Sequence, residues 1–245
     1  VSWARRCVKE TVAVLCIVVP RVVREPKQRG VIIQGIFRSN YVIFGVSLVT
    51  NVFGAEEAAA ASILSAVLVP MYNVLAVIAL TVFTGGGKVS LKKTLKSIAT
   101  NPLIIAALLG VFASIIKLRF PAFLETSLRD VSRLATPLAL IVLGGDFSFR
   151  KLKGNMRIAG VTVFIKLVVI PLVFLPIAVL AGSRGPSLLA LALAWETPVA
   201  VSSYIMAQQA GADGELAGQL VVLSAVCCIP TVFLMIFILQ SMALL

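Results

Sequence analysis

The sequence predicts an all-α integral membrane protein with about eight transmembrane helices, and three observations carry that prediction. Of its 245 residues, 60% are hydrophobic and only 13% charged, and the mean hydropathy is +1.06. Too little polar surface is left to cover a water-soluble globule, so lipid is the solvent for most of the chain. Apolar runs of helical length follow one another with short interruptions, and the basic residues gather in alternate interruptions.

A membrane helix needs about 20 mainly apolar residues to cross a hydrocarbon core of roughly 30 Å. The runs lie at 11–19, 31–52, 58–83, 98–116, 128–147, 158–181, 188–210 and 216–245, and only the first is short for a span. None alternates apolar with polar residues as a barrel strand would, and backbone groups in lipid must be paired within the segment, so helices are expected throughout. The interruptions carry charge and turn residues, as in Arg24-Glu25-Pro26-Lys27, Gly85-Gly86-Gly87-Lys88 and Gly182-Ser183-Arg184-Gly185-Pro186. One transmembrane domain over 1–245 is the simplest organisation.

A net charge of +12 could signal nucleic-acid binding, but the basic residues are scattered between spans and gathered on no soluble domain, so no nucleic-acid partner is expected. Membrane topology accounts for them. With the loop after the first span inside, the inner loops hold Arg21, Arg24, Lys27 and Arg29, then Lys88, Lys92, Lys93 and Lys96, then Arg150, Lys151, Lys153 and Arg157. Glu56-Glu57 falls outside, as does the C-terminus. The acidic inner turn at Asp213 and Glu215 is the exception.

Four cysteines, at 7, 16, 227 and 228, form no CxxC pair and no metal-ligand spacing, so apolar packing is their expected role. Histidine is absent, which removes the commonest general base and metal ligand. No catalytic dyad stands out, so an intramembrane enzyme is disfavoured, and neither metal nor cofactor is expected.

An internal repeat is the most informative pattern. Gly54-Ala55-Glu56, then Leu64-Ser65-Ala66-Val67 and Pro70, recurs as Gly211-Ala212-Asp213, Leu223-Ser224-Ala225-Val226 and Pro230. An odd number of expected spans separates the copies, so they face opposite sides of the membrane. That is the inverted-repeat plan of many secondary transporters, which place the substrate near the midplane where paired helices break. It divides the chain into an incomplete first repeat at 1–84 and a second at 98–245.

Each copy has an interrupted segment before its acidic turn. In the first, Ser39, Asn40, Tyr41, Gly45 and Ser47 break up an apolar run after Arg38; in the second, Pro198 removes a backbone donor ahead of Ser202, Ser203 and Tyr204. Glu196 lies two residues before that proline and Lys166 midway along its span. Ionisable residues inside a span are costly and functional by default. Glu196 is the expected carrier of a coupling proton; Lys166 is expected to pair with Glu196 or Asp146, or to attract a substrate carboxylate. Arg38 reads as a solvated or lipid-phosphate-bound side chain at a helix end, and Trp3 and Trp195 as interface anchors.

The chain resembles the auxin efflux carrier family, including bacterial members that move dicarboxylates such as malate or malonate. The likeness rests on Asn40-Tyr41-Val42-Ile43-Phe44-Gly45-Val46-Ser47-Leu48, Asn101-Pro102, Ala135-Thr136-Pro137-Leu138-Ala139-Leu140 with Gly144, Lys166-Leu167 ahead of Pro171, and Pro198-Val199-Ala200-Val201-Ser202-Ser203-Tyr204. Together they cover nearly the whole chain.

The resemblance implies a ten-helix carrier of two inverted five-helix repeats, whose fourth and ninth helices break and cross at the substrate site. On that template the sequence begins within the third helix. It further implies a homodimer formed through the first repeat. Ser47 stands where the family has its crossover proline, and Ser202 where it has an asparagine. The resulting expectation is a multi-pass protein of the inner (plasma) membrane that carries a small organic anion, a dicarboxylate or auxin-like carboxylate, by proton-coupled alternating access. Asn40, Tyr41, Gly45, Ser47, Pro198, Ser202, Ser203 and Tyr204 would line its site, with Glu196 and Lys166 supplying coupling or charge. The alternatives are a passive channel and a truncated, nonfunctional carrier fragment.

Overall fold

In the computed structural model, the described residues are 2–84, 96, 99–100, 102–146 and 149–245. They form helices and turns with no strand among them. The elements are α1 (Ser2–Val22), α2 (Pro26–Phe37), a π-helical stretch (Tyr41–Val46) leading into α3 (Ser47–Phe53), α4 (Ala59–Thr84), α5 (Pro102–Ile115) and α6 (Ala122–Asp146). Then come α7 (Phe149–Phe164), a second π-helical stretch (Ile165–Val169), α8 (Ile170–Leu180), α9 (Gly185–Glu196), α10 (Ser202–Gln209) and α11 (Gly214–Ser241).

Four helical stretches among the described residues are long and apolar enough to cross a membrane: Pro26–Phe53, Ala59–Thr84, Asn155–Leu180 and Gly214–Ser241. The chain is an all-α membrane protein. Two runs differ from their sequence reading. The first, short as an apolar run, belongs to the 21-residue helix α1. The fifth lies in a helix that already begins at Ala122, where Glu125–Arg129 (3.0 Å) and Asp130–Arg133 (3.6 Å) pair along an exposed face.

Two expected spans are broken in the middle. Helix α2 stops at Phe37 and the chain runs extended through Arg38 (φ −86°, ψ 122°) before re-entering helix at Tyr41. Helix α9 stops at Glu196 because Thr197 precedes Pro198, whose ring disfavours the α conformation in the residue before it; Thr197 accordingly sits at φ −74°, ψ 153°. The breaks meet: the Asn40 N–H donates to the Pro198 carbonyl at 2.8 Å. Backbone groups that would be orphaned in lipid are thereby paired inside the protein.

Close packing holds the crossing in place. Helix α2 lies so near α4 that a Cβ on Gly30 would come 2.9 Å from the Ala79 carbonyl oxygen, so a small residue is required there. Phe37, Tyr41, Tyr72 and Trp195 are fully buried around the breaks. Between α7 and α8 the helix widens into a π turn immediately before Pro171, which has no N–H to return to the preceding turn. The acidic turn expected on the inner side has a local cause as well. Asp213 caps α11 through the Leu216 N–H (2.9 Å), takes a bond from Gln28 (3.0 Å), and its own N–H reaches the Lys27 carbonyl (3.1 Å).

Candidate functional site

The crossing gathers two buried cations. Arg38, in the extended stretch after α2, is 4% exposed, and Lys166, in the π turn after α7, is 0% exposed. Arg38 donates to Asn73 Oδ1 on α4 (2.7 Å) and to Ser202 Oγ at the start of α10 (2.8 Å), and its other terminal nitrogen rests on the Met206 sulfur. Asn73 and Ser202 are each half-buried, as is Asn40, so the buried guanidinium is held by neutral polar groups that remain partly accessible. The Asn40 side chain makes no cap bond to its own helix.

Lys166 faces the other way along the break. Its Nζ donates to the Ile36 carbonyl (3.3 Å), the Arg38 carbonyl (3.2 Å) and Ser39 Oγ (2.8 Å). A cation at the carbonyl end of α2 opposes the negative pole of the helix. The expected pairing with Glu196 is absent, since neither buried cation has a carboxylate partner among the described residues. The side chain of Asp146, its other expected partner, lies outside the described residues.

The other predicted residues take distinct places. Tyr41 is 1% exposed, with its hydroxyl unpartnered, and its ring packs on Gly45, where any Cβ would collide with it. Ser47 is exposed. Ser203 is buried, and its carbonyl accepts from Gln34 Nε2 (3.0 Å). The Tyr204 hydroxyl accepts from Gln208 (2.7 Å).

Glu196 is 3% exposed at the end of α9, with Oε2 lacking a hydrogen-bond partner. It borders an apolar cavity of about 620 Å³ between α8, α9 and α11, lined by residues such as Pro171, Leu175, Met235 and Leu239. An ionised carboxylate there would be costly to keep.

Several residues escape the sequence reading. Arg38 is buried at the crossing and not solvated, because its helix ends in the middle of the fold instead of at the interface. Trp195 is likewise buried, stacked on Phe174 with centroids 5.2 Å apart and planes 11° apart, so it is a core residue and no interface anchor. The side chain of Trp3 lies outside the described residues. The Tyr72 hydroxyl donates to the Ala194 carbonyl (2.9 Å), and Ser224 of the repeated LSAV accepts from the Val199 N–H (2.9 Å), closing orphaned groups of the second break. Its counterpart Ser65 bonds only within its own helix, to the Ser62 carbonyl.

No curated protein matches the chain. The family model described as "Membrane transport protein" matches residues 87–236, more than half of the sequence, and takes in the second break with Lys166, Glu196 and Ser202. With two helices broken and crossed around buried cations, and that match spanning the second of them, the chain belongs to the membrane transport protein family, that of the auxin efflux carriers.

Proposed function

We propose that this protein carries small organic anions, dicarboxylates or auxin-like carboxylates, across the inner (plasma) membrane by alternating access, with the crossing of the two broken helices as its substrate site. The observation that carries the reading is the buried guanidinium of Arg38. It has only neutral partners, Asn73, Ser202 and Met206, and the two polar ones are half-buried. A buried charge without a counter-ion is expensive, and an incoming carboxylate supplies the missing charge with the planar, forked geometry a guanidinium prefers. Ser202 Oγ accepts from Arg38 and keeps its own hydrogen free to donate to that carboxylate. Asn40, with no side-chain cap bond, stands ready as a second donor.

Inverted repeats fit the same plan. Both broken helices are followed by a turn with a positive-φ glycine, Gly54 at 94° and Gly211 at 66°, and then by a long helix with an internal proline, Pro70 or Pro230. Glu196 is the candidate proton carrier: it is buried, borders an apolar cavity and has no cation within salt-bridge distance among the described residues.

Flux into proteoliposomes tests the reading. Labelled malonate and an auxin-like acid, each with and without a pH gradient, should show saturable uptake of at least one acid, accumulating against its gradient when protons flow inward. Saturable but gradient-independent flux would remove the coupling. Linear flux without competition would favour a passive channel, and no flux at all a nonfunctional fragment.

A further inference from the structure

We propose that Lys166 is a positioning residue that never touches the substrate: its ammonium clasps the break in α2 and, through it, holds the break in α9 in register, leaving Arg38 as the one charged anchor of the site. The inference rests on the transport reading only for what the site binds; the clasp itself is geometric.

An ammonium has three protons to donate, and Lys166 has three acceptors within reach, the Ile36 carbonyl, the Arg38 carbonyl and Ser39 Oγ, at 3.3, 3.2 and 2.8 Å. No donor is left for a carboxylate. Two of the acceptors are main-chain groups flanking the point where α2 ends, so the ammonium satisfies carbonyls that no helix turn can satisfy. Fixing the Arg38 carbonyl fixes the peptide from which the Arg38 side chain reaches Asn73 and Ser202. Fixing Ser39 sets the next residue, whose N–H bonds the Pro198 carbonyl at 2.8 Å. The Ser39 hydroxyl itself reaches the Trp195 carbonyl of the second break at a longer 3.5 Å. One side chain thus ties three consecutive links, from the π turn after α7 to the end of α2 and on to the end of α9. The main-chain groups of the second break are closed by neutral side chains, Tyr72 and Ser224, and Arg38 reaches only side chains there, so Lys166 is the one charged group bonded to the backbone of the breaks among the described residues.

The test compares Lys166→Met, Lys166→Arg, Ser39→Ala and the Lys166→Met/Ser39→Ala double variant in the full chain, reconstituted in lipid nanodiscs. Hydrogen exchange is read on peptides covering residues 36–44 and 194–201, and equilibrium binding is read with labelled malonate and an auxin-like monocarboxylate. Amides of both breaks should exchange at least about tenfold faster in Lys166→Met, with α4 and α11 unchanged. Ser39→Ala should act in the same direction, and the double variant should exchange no faster than Lys166→Met, because both substitutions open one clasp. Lys166→Arg should restore part of the protection. Affinity for whichever probe binds should fall with the exchange, and by the same factor for mono- and dicarboxylate if both bind. The proposal is overturned by unchanged exchange at either break, by additive effects of Lys166 and Ser39, by acceleration that spreads across α4 and α11, or by loss of affinity without any change in exchange. The last outcome would make Lys166 a direct ligand. If neither acid binds the unaltered protein, the transport reading falls, while the exchange experiment still decides the clasp.

Discussion

Replacing Arg38 with methionine removes the buried charge held by Asn73 and Ser202 while keeping an unbranched apolar stem. A hydrogen bond to a charged group contributes about 1.5–3 kcal/mol, and a carboxylate gripped by a guanidinium accepts two such bonds. On that count about 3–6 kcal/mol of substrate binding is at stake. The empty site already spends the guanidinium on Asn73 at 2.7 Å and Ser202 at 2.8 Å, so a carboxylate must displace or share those bonds and the net sits at the low end. At 1.4 kcal/mol per factor of ten, affinity should fall roughly 100-fold. Folding should survive, because the substitution also removes a desolvated charge, and the groups it strands on Asn73 and Ser202 are half-buried and can turn to water. Equilibrium binding of labelled malonate and an auxin-like acid to nanodisc-embedded protein reads the first quantity, and thermal unfolding of the same sample reads the second. A well-folded Arg38→Met protein that binds within about threefold of the unaltered one would place the anion elsewhere and refute the argument.

Four further expectations follow from the same geometry. Asn40→Leu should insert normally but bind the anion roughly tenfold more weakly, by the loss of one charge-assisted bond; unchanged binding removes Asn40 from the site. Glu196→Gln should abolish accumulation driven by a pH gradient while sparing downhill exchange in proteoliposomes, whereas accumulation at the unaltered level would make Glu196 structural. Ser224→Ala strands the Val199 N–H in a buried place and should cost about 1–3 kcal/mol of stability, read from detergent-solubilised thermal unfolding; a melting curve that does not move shows the N–H finding another partner. Finally, with the native cysteines replaced, Lys96→Cys should be shielded from a membrane-impermeant thiol reagent in intact cells and Arg184→Cys labelled. Equal labelling of these two exposed positions would overturn the topology.

The sequence announces the breaks but not their contents. Pro198 declares one break by removing a donor, and the run Arg38-Ser39-Asn40 declares the other by interrupting apolar residues, so both lie where patterning puts them. Arg38 and Trp195 mislead because a charged or indole side chain at the end of an apolar run ordinarily marks the membrane surface. Only when the run is known to end inside the fold do both become interior residues. Lys166 is legible as a charge in mid-span, but its partners are not. They are main-chain carbonyls and a hydroxyl about 130 positions away, and no residue pattern encodes a backbone acceptor. Asp213 looks like a violation of charge topology and is a helix cap, a local requirement that outweighs a statistical one.

The π turn at Ile165–Val169 makes the helix through Asn155–Leu180 a part with an adjustable screw. A π turn accommodates one more residue than the α-helix around it, and each residue of an α-helix advances the azimuth by about 100°. Winding Ile165–Val169 as α-helix with no residue removed would turn everything on one side of the junction by roughly that angle against the other. The apolar length would still span the bilayer, yet Lys166 and Pro171 would no longer point to the faces they now serve. Insertion and aim are therefore separable in this helix: hydropathy governs the one, and a single-residue surplus the other.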